Sequence, residues 1–70
     1  MTLAQFERAI SKKARRAIYA EIDPAGTFRA KVDGLTFTGR ADSANITIKS
    51  PARAGYRNAP RVYVWEGAAI

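Results

Sequence analysis

The stretch TFRAKVDGLTFTGR, residues 27–40, constrains the fold more tightly than any other part of the chain. Asp33-Gly34 is a pair favoured in two-residue type I′ hairpin loops, where both central residues take positive φ. Alternating residues flank it on both sides, so a two-residue loop sets Val32 opposite Leu35, Ala30 opposite Phe37 and Phe28 opposite Gly39. The apolar residues of both arms then share one face. Lys31 beside Thr36, Arg29 beside Thr38 and Thr27 beside Arg40 take the other. A slip of one residue would scatter both sets, so turn chemistry and patterning agree on a single register. That register also predicts that the Phe28 ring lies across Gly39, shielding the backbone that a glycine leaves bare.

Before the hairpin, Thr2 and Gln5 have the spacing of a capping box and predict a helix from the start of the sequence. At about 100° per residue, Leu3, Phe6, Ile10, Ala14 and Ala17 form one narrow stripe, and Arg8, Lys12, Arg15 and Arg16 fall on the opposite side. Around Ala17 the period becomes alternating. Ile18, Ala20 and Ile22 would face one way and Tyr19, Glu21 and Asp23 the other, before a turn at Asp23-Pro24-Ala25-Gly26.

After the hairpin, Ala41-Asp42-Ser43 turns the chain again, and residues 45–49 alternate with Ile46 and Ile48 on one face. Residues 50–60 carry Pro51, Pro60 and Gly55 with no apolar period, which reads as a long loop. Arg53, Arg57 and Arg61 recur along it at every fourth position, with Tyr56 and Asn58 between them. In residues 61–66, Val62 and Val64 alternate with Tyr63 and Trp65, a strand apolar on both sides. Its pattern does not say which side is buried.

These elements predict a single α+β domain over residues 1–70, an N-terminal amphipathic helix on one face of a four- to five-stranded antiparallel meander. The helix stripe is expected on Ile18, Ile22, Phe28, Val32, Leu35, Phe37, Ile46 and Ile48. A chain of 70 residues is close to the lower size at which a core alone sustains a fold. With no cysteine, no disulfide assists it.

Twelve Lys and Arg against six Asp and Glu give a net charge of +6, which favours acidic partners: nucleic acid, acidic protein surfaces or anionic lipid. If Val62 and Val64 join the core, Tyr63 and Trp65 point outward. The open face then carries Tyr19, Tyr63 and Trp65 among Arg29, Lys31 and Lys49, with threonines between. Aromatic rings among cations suit single-stranded nucleic acid, since bases stack on the rings while Lys and Arg follow the phosphates. The candidate contacts are Arg8, Lys12, Arg15 and Arg16 on the helix, Arg29, Lys31 and Lys49 on the sheet, and Arg53, Tyr56, Arg57 and Arg61 along the loop, with Tyr63 and Trp65 beyond it.

Plainer readings stand beside this one. Cations in the last helical turns offset the helix dipole, and Tyr, Trp and Thr are ordinary strand residues. The second functional reading is a small inhibitor or adaptor, of the kind carried by phages and mobile elements, that docks on an acidic surface of a protein partner. A homodimer through the open face belongs to the same class. Catalysis is not expected, because histidine and cysteine are absent and Asp23, Asp33 and Asp42 fall in turns that already explain them. No metal or cofactor pattern is present. No apolar run reaches the length of a membrane span, the helix has a thin apolar face, and the expected setting is cytoplasmic.

Overall fold

The computed structural model describes residues 1–51 and 61–67. One helix, α1 (Leu3–Ala14), precedes five strands: β1 (Glu21–Ile22), β2 (Thr27–Val32), β3 (Leu35–Arg40), β4 (Ile46–Lys49) and β5 (Val62–Trp65). The strands form one antiparallel sheet in the order β1-β2-β3-β4-β5, the expected meander.

The central hairpin has the expected register at every position, from Val32 opposite Leu35 to Thr27 opposite Arg40. Its loop takes φ of 52° at Asp33 and 81° at Gly34, the two left-handed residues that a type I′ turn needs. The turn before β2 is equally well specified. The Asp23 carbonyl accepts from Gly26 N–H at 2.9 Å, and Asp23 Oδ1 accepts from Ala25 and Thr27 N–H, so one carboxylate satisfies two loop amides.

Thr2 caps α1 with both reciprocal bonds of a capping box: Gln5 N–H donates to Thr2 Oγ1 at 3.1 Å, and Thr2 N–H donates to Gln5 Oε1 at 2.8 Å. The helix ends earlier than its apolar stripe suggests. Arg15 turns left-handed at φ 57°, and Ala17, expected on the stripe, lies beyond the helix and exposed. The chain from Ile18 to Ala20 is held by helix side chains rather than by the sheet. Ser11 Oγ accepts from Ile18 N–H at 2.8 Å and donates to its carbonyl at 3.2 Å, while Glu7 Oε2 accepts from Ala20 N–H at 2.8 Å. These bonds take the place of a ladder, so β1 shrinks to two residues where a longer strand was expected.

Phe6, Ile10, Phe28, Ala30, Val32, Phe37, Ile46 and Ile48 form the buried core between helix and sheet, with Leu3, Ala14, Ile18, Leu35 and Trp65 packed around it. Ile22, expected inside, is 54% exposed: it sits opposite Phe28 on the core face, but β1 is the sheet edge and the helix does not cover it. Gly39 is also covered differently from expectation. A Cβ there would lie 2.8 Å from Phe6 Cδ2, so it is the helix ring of Phe6 that lies over the glycine, with Phe28 tilted against Phe6 at 5.7 Å between centroids.

Candidate phosphate-binding face of the sheet

Register decides what each face of the sheet carries. Paired residues of antiparallel strands share a face. Arg29 pairs with Thr38 and Thr38 with Thr47; Lys31 pairs with Thr36 and Thr36 with Lys49. These side chains alternate with the buried Phe28, Ala30, Val32, Phe37, Ile46 and Ile48, so they lie on the open face, away from α1. Two cross-strand rows result, one of Glu21, Arg29, Thr38 and Thr47, with the Glu21 carboxylate beside Arg29 at the β1 edge, and one of Lys31, Thr36 and Lys49. In the second row a hydroxyl stands between two ammonium groups. With adjacent strands about 4.8 Å apart, the two lysine backbones are roughly 10 Å apart.

Between these rows lies a shallow open depression of about 420 Å³, lined by Arg29, Lys31, Gly34, Thr36, Thr38, Lys49, Ser50 and Pro51. It holds three cations, three hydroxyls and no carboxylate. Arg29 is drawn partly aside by Asp23 at 3.4 Å, a contact with the arginine 60% exposed that constrains it weakly. Lys31 and Lys49 have no carboxylate within ion-pair distance among the described residues. Every buried side-chain polar atom among those residues has a partner, so nothing in the core demands a ligand.

Strand β5 reverses the arrangement that would have put aromatic rings on this face. Ile48 pairs with Tyr63 and Ile46 with Trp65, while Thr47 pairs with Val64 and Lys49 with Val62. Tyr63 and Trp65 therefore lie on the helix side and the valines on the open side. Trp65 is half-buried beside the core, and Lys13 Nζ stands over its ring at 4.7 Å from the centroid. Tyr63 is half-exposed at the sheet edge. Tyr63 and Trp65 are thus on the opposite face from Arg29, Lys31 and Lys49. The valine alternation alone allowed either phase. The phase is registered by Ser50, whose N–H donates to the Arg61 carbonyl at 2.9 Å and whose Oγ accepts from Arg61 N–H at 3.2 Å, continuing the β4–β5 register by one pair.

The remaining candidates are spread out. Arg8 and Lys12 are exposed on α1, across the molecule from the open face. Arg15 forms the left-handed helix end, and Arg16 reaches Asp33 Oδ1 at 3.0 Å, tying helix to hairpin. Arg61 is exposed at the loop base. Tyr19 is exposed in the linker before β1. Arg53, Tyr56 and Arg57 lie outside the described residues. Thr36 was expected on the open face among the cations; missed from sequence was the hydroxyl of Ser50 as a member of the sheet site. Its signal was the hairpin register itself, extended by one strand.

Among the described residues no three Asp, Glu, His or Cys side chains group as metal ligands, and no helix is long and apolar enough to cross a membrane. No protein-family model matches the chain, and no curated protein or solved structure matches it either.

Proposed function

We propose that the chain is a non-catalytic nucleic-acid-binding protein whose open sheet face holds the phosphate backbone. The observation that supports this is the row Lys31-Thr36-Lys49 beside Arg29, a cationic, hydroxyl-lined depression without a carboxylate. Ammonium groups neutralise phosphates and threonine hydroxyls donate to phosphate oxygens, and neither reads a base. Because Tyr63 and Trp65 lie on the other face, no ring among the described residues lines this depression to stack an unpaired base. Duplex, with its higher charge density, is then bound at least as well as a single strand.

The test is fluorescence anisotropy of labelled duplex and single-stranded oligonucleotides of mixed sequence at low and moderate salt. The expected result is binding that is indifferent to sequence, no weaker on duplex, and lost as salt rises through counterion release. Absence of binding at low salt overturns the proposal. The reading as an adaptor on an acidic protein surface rests on the same cations and predicts binding to one protein with no affinity for oligonucleotides.

A further inference from the structure

The two edges of the sheet are unlike. β1 is two residues long and runs into the Pro24 turn, whereas β5 is a four-residue run, Val-Tyr-Val-Trp, at the other end of the strand order. Both faces of β5 leave apolar surface in water: Val62 is 59%, Val64 68% and Tyr63 51% exposed. Its outer backbone is also unpaired among the described residues. Arg61 turns its N–H and C=O toward Ser50, and in an antiparallel pair such groups alternate along the strand. Tyr63 and Trp65 therefore bond toward β4, while Val62 and Val64 direct their N–H and C=O outward. No described residue pairs with that side. An exposed apolar edge strand is a template for another strand.

We infer that β5 pairs antiparallel with β5 of a second copy of this chain, making one ten-stranded sheet across a twofold axis. A twofold axis normal to the sheet keeps like faces together and makes the contact isologous. Charge selects the register. With Val64 on the axis, Val62 faces Glu66 of the second copy and Tyr63 faces its Trp65. Glu66, the sole acid after Asp42, then falls in the open-face row of Lys49 and Val62, two strand spacings from Lys49, or about 10 Å between backbones. Two long side chains meet over that distance, above Val62. Centring on Tyr63 instead would set Arg61 against a Trp65 ring that Lys13 already covers at 4.7 Å, placing two cations together. The Val64 register avoids that repulsion, pairs a carboxylate with an ammonium at each end and covers the exposed flank of the two valines. Both cationic faces then lie on one side of the joined sheet.

This inference shares Lys49 with the proposed phosphate face, but its readout needs no oligonucleotide, so the failure of one is distinguishable from the failure of the other. Sedimentation of the full chain over rising concentration is expected to show a shift from 7.7 kDa toward twice that mass. Val64→Lys sets two like charges opposite each other on the axis and should weaken the dimer roughly tenfold or more. Val64→Pro removes an outward N–H that β4 does not use and should do the same. Glu66→Lys should weaken association, and Lys49→Glu combined with Glu66→Lys should restore it; circular dichroism checks that each variant is folded. A wild-type chain that stays monomeric throughout overturns the inference, since the edge is then covered by the chain itself or by another partner. A dimer that both Val64 variants leave intact overturns it too, because another surface then makes the contact.

Discussion

Gly34 and Gly39 sit in the same hairpin, yet each excludes a side chain for a different reason. Gly34 holds φ of 81° with nothing within 4 Å of a Cβ built on it, so Gly34→Ala meets only backbone strain. The expected loss is about 1 kcal/mol in urea unfolding, the cost of placing an L-residue in the left-handed region. Gly39 has ordinary strand geometry, but its Cβ would lie 2.8 Å from Phe6 Cδ2 and 3.1 Å from Met1 Cε. Gly39→Ala should cost roughly 1–3 kcal/mol by overpacking, and Phe6→Leu in the same chain should recover part of it. Equal losses in the presence and absence of Phe6→Leu would show that the ring is not the obstacle. The left-handed glycine was legible from the dipeptide Asp33-Gly34, since turn chemistry is local. The covered glycine was legible only in part: its face followed from register, but which ring lay over it depended on the helix docking, and that is a matter of three-dimensional packing.

At the scale of elements, the helix and the core strands followed from periodicity because each buries one face only. β1 and β5 did not, and for different physical reasons. Ile18 and Ala20 alternate as a strand would, but the hydroxyl of Ser11 and the carboxylate of Glu7 satisfy their backbone first. A polar residue on a helix flank carries no periodic signal for such a bond. Ser11→Ala is expected to destabilise the fold by about 1–2 kcal/mol, as it leaves a part-buried N–H and C=O without their shared partner. Hydrogen exchange checks the cause: the Ile18 amide should lose protection while the β2–β3 amides keep theirs relative to global stability. In β5 both sides are apolar, so alternation has no phase. The phase comes from the Ser50–Arg61 clamp across the loop base, a contact between residues far apart in sequence.

For the whole molecule, the sheet separates two cationic regions that one net charge of +6 does not distinguish. Arg8 and Lys12 stand on the helix, partly in the role of solvating an amphipathic back; Lys31 and Lys49 stand on the open face around a hydroxyl-lined depression. A purely non-specific attraction would depend on total charge, and removal of any two cations would then weaken oligonucleotide binding alike. A binding face predicts otherwise. Lys31→Gln with Lys49→Gln removes two phosphate contacts, so the slope of log affinity against log salt should fall by about two. Arg8→Gln with Lys12→Gln changes the net charge equally but should leave that slope nearly unchanged. All four side chains are exposed, so neither pair should alter folding by more than roughly 0.5 kcal/mol per site. Measured side by side, the two double variants separate charge from place. If their slopes fall together, the chain is held by its overall field and the open face has no privileged part in binding.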